Sequence, residues 1–109
     1  MAKFLIDINL KRKTAIITGA TKGIGRACSI ALHQVGANII ALGRNQKELL
    51  SLKKKLRTRI KIYQCEMNDY ENLKNIVARQ KKIDVLINNA GTNLPEPFLK
   101  VKQSSLNTL

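Results

Sequence analysis

Tryptophan is absent from this chain of 109 residues, and phenylalanine and tyrosine together supply only four. The core must therefore be aliphatic, and an aromatic platform of the kind that stacks single-stranded bases is missing. Cysteine is almost absent too. Cys28 and Cys65 stand far apart with no Cys-x-x-Cys and no neighbouring His, which excludes a zinc framework and fits a reduced, intracellular setting. The two prolines, Pro95 and Pro97, mark a single loop near the end. Long apolar runs are lacking: Phe4-Leu5-Ile6 is too short for the core of a signal peptide, and no stretch approaches a membrane span. The expectation is a cytoplasmic protein with no membrane partner and no metal. Acidic residues are few, seven against twenty Lys and Arg, for a formal charge of +13. That balance favours anionic partners such as nucleic acid or phosphorylated small molecules, without choosing among them.

What is present is an alternation of two periodicities. Ala15-Ile16-Ile17 is a short apolar run closed by Gly19 and reads as a buried strand. Ile24, Ala27, Cys28, Ala31 and Val35 follow at the spacing of one helix face, which Gly36 ends with a left-handed residue. Asn38 to Leu42 reads as a second strand. Asn45 with Glu48 three residues on resembles a capping box, opening a helix striped by Leu49, Leu52 and Leu56. Ile60 to Cys65 alternates as a third strand. A helix from about Asp69 to Gln80 carries Tyr70, Leu73 and Val77 on one side with Ile76 beside them. Val85-Leu86-Ile87 is the fourth strand, left through Asn88-Asn89-Ala90-Gly91, and Ser104 to Leu109 could begin another helix. Strands and helices in strict alternation imply right-handed crossovers and a parallel sheet. No linker or repeat divides residues 1–109, so they read as one α/β domain.

The turn Thr18-Gly19-Ala20-Thr21-Lys22-Gly23-Ile24-Gly25 lies directly after the first strand and at the start of the first helix. Gly19 allows a tight turn, Gly23 lets the backbone approach a pyrophosphate, and Gly25 lets the helix pack closely. The free N–H groups and the helix dipole then favour the anion. Three glycines alone are a weak signal, since turn and packing explain them equally well. Their strand–turn–helix context adds weight.

Thr18-Gly-x-x-x-Gly-Ile-Gly25 together with Asn88-Asn-Ala-Gly91 resembles the short-chain dehydrogenase/reductase family, over nearly the whole chain from about residue 10. The resemblance implies a Rossmann-type doubly wound parallel sheet in the order 3-2-1-4, here truncated after the fourth strand. It also implies a nicotinamide dinucleotide held by Thr18, Gly19, Thr21, Lys22, Gly23, Ile24 and Gly25. An acid at the end of strand two would bind the 2′-hydroxyl of NAD(H), whereas an Arg nearby accommodates the 2′-phosphate of NADP(H). The sequence there is Leu42-Gly43-Arg44-Asn45, with no acid before Glu48. Arg44, with Asn45 beside it, therefore favours NADP(H), and the family's NADP(H) users often carry a base at the position of Lys22. By the same resemblance Glu66 and Met67 flank the adenine, with Glu66 standing where the family more often has Asp. Asn89, Ala90 and Gly91 line the ribose on the nicotinamide side, and Asn88 braces strand four.

The family's chemistry resembles general acid–base catalysis by a Tyr, a Lys four residues on and a Ser, all placed beyond a fifth strand. No catalytic residue is therefore assigned here. Tyr70 and Lys74 have the right spacing, but they lie on the third helix, and ordinary neighbours on a helix face explain them. His33 has no acid or Cys partner in sequence and is expected as a surface or boundary residue. The expected function is the cofactor-binding half of an NADP(H)-dependent oxidoreductase, inactive alone, whose complete form acts on a small carbonyl or alcohol. The loop Gly91 to Phe98 and the opening Phe4 to Asp7 resemble the branch acting on 3-oxoacyl thioesters or sugar acids and alcohols. Full-length relatives are expected to be homo-oligomers, and with strand four as an edge the isolated chain is expected to be marginal, aggregation-prone or dependent on a partner. The competing class is a non-catalytic binder of dinucleotide, or of nucleic acid through Lys53, Lys54, Lys55, Arg57, Arg59 and Lys61. Those cations straddle a helix–strand junction and read better as a solvated face.

Overall fold

The structure, a computed structural model, describes residues 8–89. In chain order it contains β1 (Thr14–Thr18), α1 (Gly23–Gln34), β2 (Asn38–Gly43), α2 (Gln46–Leu56), β3 (Ile60–Gln64), α3 (Tyr70–Ala78) and β4 (Val85–Asn88). The strands form one sheet in the order β3-β2-β1-β4, and every pairing is parallel. Each of the seven elements lies where the two periodicities placed it. The proposed helix at 104–109 and the loop at Pro95 and Pro97 lie outside the described residues.

Successive strand residues point to opposite sides of the sheet, and here both sides are covered. Ala15 and Ile17 of β1 join Ile39 and Ala41 of β2 and Leu49, Leu52 and Leu56 of α2 in one core. Ile16, Ile40 and Leu42 face the other way, against Leu73, Ile76 and Val77 of α3 and against Ile83. Burial on both faces is why β1 and β2 read as continuous apolar runs rather than alternating ones. Leu49, Leu52 and Leu73 are fully enclosed, each contributing about 1.5–3 kcal/mol.

Side chains cap two of the helices. Asn45 Oδ1 accepts from the Glu48 amide at 3.1 Å at the start of α2, and Asp69 Oδ1 accepts from the Asn72 amide at 3.2 Å at the start of α3. α1 ends at Gly36, whose φ of +107° suits glycine. An unforeseen residue secures that end: the Arg59 guanidinium donates to the carbonyls of Ala37 at 2.6 Å and His33 at 3.1 Å. His33 itself is half-buried, its Nε2 meeting the Thr58 carbonyl at 2.7 Å. Between α2 and β3, Arg57 adopts φ 71° and ψ −56°, while Thr58 N–H donates to the Leu56 carbonyl at 2.8 Å. This is the strained form of three-residue turn.

Two faces differ from expectation. The stripe from Ile24 to Val35 is not the buried side of α1; Gly25 and Ser29 are, and Ile24 is 72% exposed. The helix approaches the β1 turn so closely that only small residues fit beneath it, and Ser29 satisfies its hydroxyl on the Gly25 carbonyl at 2.8 Å. Size, not hydropathy, selected that face. On α3, Leu73, Ile76 and Val77 are buried but Tyr70 is half exposed, since it opens the helix beyond the edge of the core.

Candidate functional site

The carboxyl ends of β1, β2 and β3 open into one cleft of about 790 Å³, within the roughly 300–1,000 Å³ usual for small-ligand sites. Gly19, Thr21, Lys22, Gly43, Arg44, Asn45, Glu48, Cys65, Glu66, Met67, Asn68 and Asn89 line it. A ligand at this position sits across the place where the chain reverses from β2 to β4 about β1, the usual site in open α/β sheets.

The β1–α1 turn is built by hydrogen bonds as well as by glycine. The Thr18 side chain is fully buried. Its hydroxyl donates to Asn88 Oδ1 at 3.1 Å and accepts from the Asn89 amide at 2.9 Å. Thr18 therefore lies behind the cleft and ties the end of β1 to the end of β4; it offers no side-chain atom to a ligand. Asn88 takes the bracing position expected of it. Asn89 turns its side-chain amide onto the Gly19 carbonyl at 3.3 Å and lines the cleft. Ala90 and Gly91 fall outside the described residues.

The glycines divide their tasks. Gly19 and Gly23 have φ of +61° and +52°, a region costly for other residues. Nothing lies within 4 Å of where a Gly23 Cβ would stand, so the space over that peptide is open. A Cβ on Gly25 would strike the Gly19 carbonyl oxygen and come within 2.6 Å of Asn89 Nδ2. The close approach is thus helix to turn rather than helix to sheet. Gly43 forms the floor, where a Cβ would press on Thr21 Cγ2 at 3.2 Å. Ile24, expected at the site, projects into solvent and does not line the cleft.

α1 differs from α2 and α3 at its start. Lys22 occupies the N-cap position without a side-chain cap, and the first turn carries no acid. The amides there lack intrahelical partners and face no competing carboxylate of their own helix. Those features fit a bound phosphate.

Arg44 and Asn45 line the cleft at the end of β2, as expected, and Glu66 and Met67 line it beyond β3. Sequence reasoning missed Gly43, Cys65, Asn68 and, most consequentially, Glu48. The sequence sets Glu48 beyond the end of β2, and its spacing from Asn45 resembles a capping box. Only its backbone amide takes part in the cap. The carboxylate instead meets Lys22 Nζ at 3.5 Å and lines the cleft. Lys22, Arg44, Glu48 and Glu66 therefore leave the cleft electrically balanced, despite the charge of the whole chain. Cys65, buried at the foot of the cleft, has its thiol pushed up from 9.0, chiefly by burial and next by the charge of Asp69. It stays a neutral thiol. Tyr70 and Lys74 are exposed and do not line the cleft.

Comparison with known proteins agrees with this architecture. The family model for short chain dehydrogenase matches residues 13–109. The chain is 36% identical over 95 residues to the 3-oxoacyl-(acyl-carrier-protein) reductase of Rickettsia conorii, covering 87% of this chain and 39% of that protein. It is 33% identical over 100 residues to the L-xylulose reductase of Mesocricetus auratus, covering 92% of this chain and 41% of that one. Among solved structures, serine dehydrogenase from Escherichia coli superposes with a TM-score of 0.63 at 30% identity, covering 67% of this chain and 36% of that one. A metagenomic short-chain oxidoreductase, solved with NADP, superposes at 0.68 and 23% identity over 80% of this chain and 42% of that one, a likeness of fold alone. The chain thus spans about two-fifths of the length of the curated relatives it matches. With the family model matching residues 13–109, the chain belongs to the short-chain dehydrogenase family.

Proposed function

We propose that this chain forms the dinucleotide-binding portion of an oxidoreductase that uses NADP(H) in preference to NAD(H). One observation carries the reading: a single cleft is lined by Gly19, Thr21 and the cations Lys22 and Arg44, with Lys22 at the uncapped start of α1. The pyrophosphate would take the first-turn amides of α1, and the absence of a Cβ at Gly23 lets it come close. Arg44 and Lys22 would hold the 2′-phosphate, the guanidinium through a bidentate pair and the ammonium as a point charge. Glu66, Met67 and Asn68 would bound the adenine, and Asn89, with Ala90 and Gly91 after it, the nicotinamide-side ribose.

When bound, the nicotinamide supplies or accepts the hydride. Relatives named as reductases of a 3-oxoacyl thioester and of L-xylulose support a carbonyl or alcohol substrate. Among the described residues lining the cleft there is no Ser, Tyr or His, and Cys65 holds its proton. The function proposed for residues 8–89 is to bind and orient the cofactor. Cytoplasmic location and homo-oligomeric assembly of the complete enzyme are part of the same proposal.

Titration of the chain with NADPH and NADH, followed by fluorescence, tests the reading. NADPH binding tighter than NADH is expected, and Arg44→Asp should reverse the order. Tight, steeply salt-dependent DNA binding without dinucleotide binding would overturn it.

A further inference from the structure

Glu48 is the charged cleft residue that the proposed reading leaves without a task. It is the third residue of α2, and its amide already serves the cap on Asn45. Its carboxylate is free of that cap and lies against Lys22 at 3.5 Å. The pair is unequal. The Lys22 side chain is 79% exposed and that of Glu48 only 28%, so the acid is held while the flexible ammonium can turn away. An anion that recruits Lys22 must displace a carboxylate already there, and then stand beside it.

We infer that Glu48 is a specificity-determining counter-charge. It occupies Lys22 in the free protein, competes for it with the 2′-phosphate of an incoming dinucleotide, and so narrows the preference for NADP(H) over NAD(H). The inference rests on the NADP(H) reading for its direction. A dinucleotide without the 2′-phosphate has no need of Lys22 and meets no such competition. The competition is bounded by the strength of a largely exposed ion pair, equivalent to about two- to fivefold in affinity.

The test is Glu48→Gln in the full chain, titrated with NADPH, NADH, 2′,5′-ADP and 5′-AMP. The neutral amide keeps the size of the side chain and leaves the backbone cap in place. Both 2′-phosphorylated probes should bind about two- to fivefold more tightly, while NADH and 5′-AMP stay unchanged. The gain should vanish in a Lys22→Ala background, because Glu48 acts through Lys22. Unchanged or weaker NADPH binding by Glu48→Gln, or equal tightening of NADH, overturns the inference. A wild-type chain that prefers NADPH, with Glu48→Gln no different, refutes the inference and leaves the NADP(H) reading standing. A wild-type chain without preference, in which Glu48→Gln creates one, refutes that reading and supports the inference.

Discussion

Replacing Gly25 by Ala probes the turn more sharply than any substitution at the charged residues. An added Cβ would overlap the Gly19 carbonyl oxygen, stand 2.9 Å from the Gly19 carbonyl carbon and lie 2.6 Å from Asn89 Nδ2, where carbon contacts ordinarily settle at about 3.5–4.0 Å. Two of those atoms are backbone of Gly19, and the residue before it, Thr18, is pinned to both Asn88 and Asn89. The helix must therefore back away on the order of 1 Å, a shift that over-packed sites make at about 1–3 kcal/mol. The Asn89–Gly19 hydrogen bond goes with it, adding about 0.5–1.5 kcal/mol. A total near 2–4 kcal/mol lowers the melting temperature by roughly 10–30 °C in a domain of this size. Gly23→Ala is the matched control, since its Cβ meets nothing within 4 Å. It costs only the left-handed conformation, about 1–2 kcal/mol, but plants a methyl group where a pyrophosphate must approach. Thermal unfolding by circular dichroism and NADPH titration should thus separate the two. Gly25→Ala loses mainly stability, and Gly23→Ala loses binding out of proportion to its stability. A Gly25→Ala variant melting within a few degrees of wild type, or below which Gly23→Ala falls, would refute the reasoning.

Two other outcomes follow from buried contacts. Thr18→Val keeps the shape but strips both partners from the Thr18 hydroxyl; it should cost about 2–3 kcal/mol in chemical denaturation, whereas Thr18→Ser should cost less than half of that. Arg57→Gly removes a side chain from a strained left-handed turn and should raise stability by about 0.5–1 kcal/mol; a lowered denaturation midpoint would show that the turn is not strained.

The elements of this fold were legible because their signals are local. Asn45 and Asp69 announce helix starts, Gly36 ends α1, and the apolar runs at 15–17 and 39–42 could only be strands covered on both sides. Parallel pairing followed from alternation, and the strand order from the family resemblance of the two motifs. The glycine turn was legible for the same reason, since its glycines and the first helix lie close in sequence. Faces were less so. Hydropathy placed Ile24 and Ala31 inward on α1, but the distance from helix to turn admits only Gly25 and Ser29, and distance is not written in a helix's own period. Tyr70 erred likewise, by standing one turn beyond the core it should have joined.

By itself, then, the sequence determined the four-strand parallel order, the family and the glycine turn, because each rests on neighbours in the chain or on motifs of fixed spacing. Only the tertiary structure decided what the polar groups do there. Thr18 proved to be a clasp rather than a ligand contact, since β4 arrives from 70 residues away to claim its hydroxyl. Arg59 proved to be the cap of a helix that ended 25 residues before it. Glu48, by sequence only a residue of a capping box, is carried by the packing of α2 beside α1 to the side of Lys22, 26 residues earlier in the chain. Charge acts through space, and the balance of this cleft was set by which elements the fold made neighbours.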